Sequence, residues 1–290
     1  MNEQKQNDSI ERNRPETTSL SSSFETNSTS TASTQRVLIV TAVDAEKEAV
    51  LRGLGDQAAR FDVIAAGVGP ASAAAGTAAA LAFASAAAGT NALAQGSAAP
   101  SEPDAAQASA ASSRPGPLAG TGLTPAYTLV VGAGIGGGFP GRADVGSLVV
   151  ADAMVAADLG SQTPDGFLSV DELGFGSSRV AADAVLAARL RHELQRAGLA
   201  VSGGTAVTVS TATGTAETAA ELLRRVPDAA AEGMEGFGVA TAAQQFGVPA
   251  LELRAISNAV GPRNRDAWRI KDALDALQAA SSILREVLTS

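Results

Sequence analysis

The chain has 290 residues, no cysteine and a formal net charge of −9. That length accommodates one large α/β domain or two small ones. The missing cysteine excludes disulfides, thiolate nucleophiles and Cys-ligated metals. The acidic balance disfavours nucleic acid bound through a broad basic patch.

Residues 1–35 are rich in Ser, Thr, Asn and Glu. Such a stretch cannot offset its ordering entropy by burial, so it is expected to be a disordered tail ahead of a folded domain at 36–290. It holds no apolar run resembling a signal-peptide core, and the alanine-rich tract at 71–89 has too few large side chains for a membrane span. A cytoplasmic protein with no membrane contact is expected.

Arg36 to Ala42 (RVLIVTA) is predicted as the first strand, and Asp44 as the N-cap of a helix closed by Gly55. Phe61 to Ala66 reads as a strand. Gly67 to Pro70 turns into an alanine-rich helix running to about Ala88. From 89 to 124 the composition is Ala, Gly, Ser and Pro, which predicts a flexible low-complexity insert. Tyr127 to Val131 is a strand that runs into a glycine loop at 132–138.

Ser147 to Val155 is predicted as one strand, followed by a loop at 158–178 that carries Phe167 and Phe175. A helix at 180–197 places Leu186, Leu190 and Leu194 on one stripe. A strand over 205–210, a helix over 215–225, a helix over 235–246 and a strand over 249–257 follow. The last helix repeats Ile270, Leu274, Leu277, Ser281, Leu284 and Leu288 at spacings of four and three. Alternating strands and helices predict an α/β fold: a largely parallel or mixed sheet with helices on both faces and a site outside the strands' carboxyl ends.

Gly132 to Gly138 formally contains GxGxxG, with Asp152 downstream as the acid of a dinucleotide site. Gly136-Gly137-Gly138-Phe139-Pro140-Gly141 would nevertheless be a very poor first turn for the helix that such a site requires. A loop whose amides approach a sugar or an anion fits better. Glu46, in a first helical turn, is placed where the helix dipole favours a carboxylate able to activate water. Glu232 and Glu235 flank Gly233-Met234, and a carboxylate can accept bonds from two vicinal hydroxyls. Asn258 ends an apolar strand with an amide that can both donate to and accept from a purine edge. His192 is the single histidine and falls on the solvent side of its helix, so no Ser-His-Asp triad or His-rich metal site is available. Neither metal nor cofactor is expected.

EGMEGFGVATAAQQFGVPALELRAISNAVGPRNRDAW at 232–268, VLIVTAVDAEKEAV at 37–50, the glycine loop and DLGSQTPDGFLSVDELGFG at 158–176 together resemble the purine nucleoside phosphorylase and methylthioadenosine nucleosidase superfamily. Within it they are most similar to the menaquinone-pathway branch, the futalosine hydrolases. The resemblance implies a three-layer α/β/α fold with a central mixed sheet, and hydrolysis of a purine nucleoside's N-glycosidic bond. It makes Glu46 the group that activates water and Asn258 the group that stabilises the departing base. Glu235, with Gly233 and Met234 beside it, would hold the ribose, and Gly134, Ile135 and Gly136 would border that pocket. Ser257 would sit at the base; the stacking Phe of the aminopurine enzymes has no counterpart at 210–215, where Phe167 is the expected replacement, and Arg263 (or Arg265) would meet the benzoate that futalosine carries.

The amide of Asn258 stands where nucleosidases for 6-aminopurines have an acid, which favours a 6-oxopurine such as hypoxanthine. The resemblance further implies a homo-oligomer, a dimer or larger. Two alternatives remain open at this level. One is a phosphorylase, or a nucleosidase for another purine nucleoside such as methylthioadenosine, adenosylhomocysteine or inosine. The other is a non-catalytic nucleoside-binding protein.

Overall fold

In the first strand, β1 (Val37–Thr41), successive side chains are buried against opposite layers. Val37 and Ile39 join a core with Ala49, Val50, Leu54, Leu190, Leu194, Leu277 and Leu284. Leu38 and Val40 join another with Ala73, Leu81, Val239 and Ala243. Two-faced burial is why the strand reads as an unbroken apolar run rather than an alternation.

The computed structural model describes residues 36–94 and 126–289. After β1 come α1 (Asp44–Leu54), β2 (Phe61–Ala65), α2 (Pro70–Ala94) and β3 (Leu129–Gly138). The middle of the chain holds β4 (Leu148–Val150), β5 (Ala153–Ala156), β6 (Gly160–Thr163), β7 (Gly166–Ser169), β8 (Arg179–Ala181) and α3 (Ala184–Arg196). It ends with β9 (Val201–Ser202), β10 (Thr205–Thr208), α4 (Ala216–Arg225), β11 (Ala229–Gly233), α5 (Gly236–Gln245), β12 (Ala250–Ala259) and α6 (Ile270–Thr289). Ten strands form one mixed sheet, and β6 and β7 form a separate hairpin. Helices α1, α3 and α6 supply one outer layer and α2 and α5 the other, so the architecture is the three-layer α/β/α arrangement with a central mixed sheet.

Several expectations need correction. The glycine segment 132–138 is no loop, because it continues β3 as a strand. No helix follows it, so a dinucleotide fingerprint is excluded on geometry. The single strand expected over 147–155 breaks at Ala151-Asp152 into β4 and β5, which pair with different neighbours. There the Asp152 carboxylate accepts Gly204 N–H and an Arg191 N–H, which anchors the bend.

The expected loop at 158–178 contains the β6–β7 hairpin, and β8 takes the first turn assigned to the following helix. Asp183 caps that helix by accepting Leu186 N–H at 2.9 Å. Glu232, three residues ahead of the helix predicted over 235–246, lies in β11, a strand the sequence did not reveal. In α6 the buried stripe runs through Ala273, Leu277, Ala280, Ser281, Leu284 and Val287, while Ile270 is exposed.

The tail expected at 1–35 lies outside the described residues, as does the insert beyond Ala94. Residues 89–94, counted with that insert, are the end of α2. Pro70–Ala87 is long and apolar enough to cross a membrane by composition alone. Its Ala73, Thr77, Leu81 and Ser85 nevertheless form a buried stripe at four-residue spacing, with Ala73 and Leu81 in the core shared with α5. That pattern is a core-facing helix.

Candidate functional site at a gap in the sheet

Strand β3 changes partner half-way along. Its first half pairs in parallel with β1 through Gly132, and its end pairs antiparallel with β11 at Gly137 and Gly138. Between those pairings one edge of β3 has no strand beside it among the described residues, while β12 runs along the other. Unpaired backbone groups need other partners. Ile135 N–H donates to Glu46 Oε1 at 2.9 Å, and Ile135 C=O accepts Arg254 Nη1–H at 3.3 Å. A break in strand pairing thus collects a carboxylate and a guanidinium.

Asp44 is not the N-cap of α1. It is the first, exposed helical residue, after Val43. The capping work falls to Glu46, whose Oε2 accepts Ala42 N–H at 2.9 Å and Val43 N–H at 3.3 Å. With Ile135, three backbone donors hold this carboxylate, and the residue is only 4% exposed.

Glu235 sits between β11 and α5, also buried. Its Oε1 accepts Gly69 N–H at 3.2 Å and its Oε2 accepts Met234 N–H at 3.3 Å. Gly69 presents that N–H from a turn with φ +94°, a conformation that favours glycine. Behind both acids lies Arg254, which bonds Glu235 Oε2 at 3.2 Å through Nη1 and Glu252 Oε1 at 2.7 Å through Nε. Burial opposes the Arg254 charge, but Glu252, Glu235 and Glu46 more than offset it and hold the guanidinium above its usual range. Burial pushes the Glu252 carboxyl up, and Arg254 pulls it back only in part.

The glycines of β3 make this crowding possible. A Cβ on Gly134 would lie 2.7 Å from Glu46 Oε1 and 2.9 Å from Arg254 Nη1. One on Gly136 would lie 2.6 Å from the Glu232 carbonyl oxygen. Gly134→Ala is therefore expected to displace the Glu46 carboxylate and lower kcat roughly 100-fold, the scale for a misplacement of about 1 Å. The melting temperature should move far less than the rate. Comparing kcat with thermal unfolding of the purified variant checks this, and an unchanged kcat would refute it.

A cavity of about 390 Å³ opens in front of these groups. It brings together Glu46, Ile135, Gly136, Gly233, Met234, Glu235, Ser257, Asn258 and Arg263 from the sequence-based set. Gly134 lies behind Glu46 and does not line it. Phe167 is also absent from the lining, which corrects its expected stacking role. It belongs to the β6–β7 hairpin, where the Arg225 guanidinium lies 3.8 Å over its ring.

Trp268, half-buried, is instead the aromatic residue lining the cavity among the described residues. The Arg263 guanidinium lies 5.2 Å from that ring, and Arg265 at 5.9 Å is not in the lining. Glu232 and Thr213 also line the wall; sequence reasoning offered Glu232 only as an acid able to accept from sugar hydroxyls, and gave Thr213 no role. Burial raises the Glu232 carboxyl, two bonds from Thr213 pull it back in part, and Asp158 adds to the rise. Ser257 Oγ–H donates to Asn258 Oδ1 at 2.8 Å, which fixes the amide so that Nδ2 donates to Ala259 C=O. No group of three or more His, Cys, Asp or Glu suited to a metal occurs among the described residues.

A family model described as the phosphorylase superfamily matches residues 63–290. The chain belongs to the phosphorylase superfamily. Futalosine hydrolase of Streptomyces coelicolor is 57% identical over 164 residues, which span 57% of this chain and 68% of that relative. Futalosine hydrolase of Acidothermus cellulolyticus is 48% identical over 158 residues, 54% of this chain and 64% of that relative.

Among solved structures, the 5′-methylthioadenosine/S-adenosylhomocysteine nucleosidase of Neisseria meningitidis, in complex with methylthio-immucillin-A, aligns with a TM-score of 0.60 at 18% identity. That alignment covers 88% of this chain and 98% of the other. Futalosine hydrolase of Helicobacter pylori aligns with a TM-score of 0.55 at 17% identity, over 88% of this chain and 96% of that one. At such identities the superfamily members share the fold. The mixed sheet and its two helical layers are what the alignments have in common with this chain.

Proposed function

We propose that this protein hydrolyses the N-glycosidic bond of futalosine, releasing hypoxanthine and dehypoxanthine futalosine in menaquinone biosynthesis. The observation that carries the reading is one cavity lined by Glu46, Glu235 and Asn258, each held by hydrogen bonds from within the protein. The relatives' identities, which extend to 57%, support the choice of nucleoside.

In this reading Glu46 takes a proton from a water molecule, and the water oxygen forms a bond to the ribose anomeric carbon as the C–N bond breaks. The breaking bond's electron pair goes to the purine. The transition state resembles an oxocarbenium ion, so it gains from anions nearby. Glu235 accepts bonds from the ribose hydroxyls, with Met234 packed against the sugar and Gly233, Ile135 and Gly136 along its walls. Asn258, oriented by Ser257, bonds the O6 and N7 edge of the base and takes up its growing negative charge. Arg263 and Trp268 stand together at one part of the rim, where a guanidinium and an aromatic face suit a benzoate.

A phosphorylase would need cations beside the nucleophile. Arg142 donates to the Pro227 carbonyl and does not line the cavity, and among the described residues Arg263 is the single Lys or Arg in the lining. Glu46 would repel phosphate. A non-catalytic binding role gives no reason for a buried carboxylate held by three backbone donors beside the cavity. We also propose a homo-oligomer, a dimer or larger, by the superfamily resemblance.

The test is incubation of the purified protein with futalosine, inosine and methylthioadenosine, with and without phosphate, following free base. Hypoxanthine should appear from futalosine at the same rate in both conditions. Release that depends on phosphate, or that occurs from methylthioadenosine alone, would overturn the proposal.

A further inference from the structure

Helix α5 begins without the cap that its own sequence would supply. Glu235 occupies the N-cap position, yet its side chain makes no bond to the helix it precedes. Both carboxylate oxygens are engaged elsewhere, Oε1 by Gly69 N–H and Oε2 by Met234 N–H and Arg254. The first N–H groups of a helix have no partner within it, and an N-cap side chain ordinarily satisfies one of them. The first turn of α5 reads Gly236-Phe237-Gly238 and brings no polar side chain of its own.

The acceptor comes from another element. Thr208 ends β10, is 2% exposed, and its Oγ1 accepts Phe237 N–H at 2.9 Å. It pairs with Gly233, two residues before Glu235, so the register of β10 on β11 sets the hydroxyl beside the start of the helix. An N-cap oxygen bonds the N–H of the second or third helical residue, and Phe237 is the second residue of α5. The Thr208 hydroxyl therefore does what the side chain of an ordinary N-cap would do. Thr208 itself does not line the cavity.

We propose that Thr208 is a positioning residue for substrate binding: by capping α5 in place of Glu235, it leaves that carboxylate free to accept the ribose hydroxyls. A carboxylate has roughly four acceptor positions, and Gly69, Met234 and Arg254 already draw on those of Glu235. A fourth protein donor would leave the sugar without one. Removal of the hydroxyl orphans a buried N–H, which carries the full desolvation penalty of the group. The carboxylate in capping position, two residues back, is that of Glu235, and it is drawn away from the sugar. The proposal rests on the assignment of Glu235 to the ribose and names a residue outside the cavity on which that role depends.

The experiment compares Thr208→Val, which keeps the shape and removes the acceptor, with Thr208→Ser, which keeps the acceptor. Each is combined with Glu46→Gln to suppress turnover, and inosine and 2′,3′-dideoxyinosine are titrated by calorimetry into the full chain. A hydrogen bond to a charged group is worth roughly 10- to 100-fold. Thr208→Val should lose about 10-fold or more in affinity for inosine, with dideoxyinosine, which lacks the ribose hydroxyls, almost unchanged. Thr208→Ser should match the parent. Crystal structures without ligand should show the Glu235 carboxylate turned to Phe237 N–H in the valine variant and in place on Gly69 N–H in the serine variant. Thermal unfolding checks that each is folded, and Thr208→Ala repeats the deletion if the valine variant is not.

Equal losses for the two nucleosides, or equal losses in the valine and serine variants, would assign Thr208 a structural role and overturn the proposal. A parent that prefers inosine and a valine variant that binds it just as well would do the same. So would a Glu235 carboxylate still on Gly69 N–H in the valine variant. Should the parent bind inosine no more tightly than dideoxyinosine, the ribose assignment fails, and the crystallographic arm alone decides whether Thr208 caps in place of Glu235.

Discussion

Glu46→Gln is expected to remove nearly all turnover while the nucleoside still binds. General base catalysis contributes about 100- to 10,000-fold, and an amide cannot take the water proton. The geometry adds a second loss. Glu46 offers acceptor oxygens to Ala42 and Val43 on one side and to Ile135 on the other. A glutamine has one oxygen, so its NH₂ must face a backbone N–H whichever way it turns. The expected result is a fall of at least 100-fold in kcat, with the Kd for futalosine, measured by calorimetry on the inactive variant, within about threefold of the parent. A variant that keeps a tenth of the activity and loses binding instead would move Glu46 from catalysis to recognition.

The second large effect concerns folding. Arg254 is 2% exposed and is the cation facing Glu46, Glu235 and Glu252. Removing one partner of a buried ion pair leaves an uncompensated charge at a cost of about 3–5 kcal/mol. Arg254→Met, close in length but uncharged, should therefore lower Tm by roughly 10 °C, taking about 2–4 °C per kcal/mol for a domain of this size.

The pH dependence of that loss carries a definite sign. Arg254 pulls down the Glu252 carboxyl that burial has raised, so losing the cation costs most where Glu252 would be charged. The deficit should be fully present well above the ordinary carboxylate range and shrink as pH falls toward it, through the raised range in which Glu252 takes up a proton. Arg263→Ala, at the exposed rim, is the control and should leave Tm unchanged. A pH-independent deficit would mean that lost packing, rather than charge, explains the effect.

Much of the fold was legible because burial writes itself into strand composition. β1 is apolar along its length and β12 is buried over most of its own, and both were predicted nearly to their ends. β11 was missed because AAAEG carries neither β-branched nor aromatic side chains. Its strand state comes from pairing with β10 and β3 rather than from propensity. The strand state of 132–138 was hidden for a related reason, since glycine is a poor strand former unless something else claims the space of its side chain.

Glu46, Glu235 and Asn258 could be picked out because each interrupts or borders apolar sequence. Arg254 and Glu252 carry the same signal, two charges inside a buried strand, and it was passed over. Their i, i+2 spacing places both on one face of β12, where each can neutralise the other. Trp268 and the Gly69 N–H offered no local cue, because only the tertiary fold brings them to the cavity.

The glycine row of β3 also makes a prediction about heredity. Among its glycines at 132, 134, 136, 137 and 138, the last four would each place a Cβ within 2.8 Å of another group. Few single-nucleotide changes there would survive selection, although most of these residues offer a substrate nothing but backbone. A map of mutational tolerance along this strand would thus read as a cast of its surroundings, with each forbidden alanine recording a group on a neighbouring element. At Gly136 and Gly138 the nearest group is a backbone carbonyl oxygen that no substitution can shrink, so compensated drift is open only at Gly134 and Gly137, where changes should arrive in pairs.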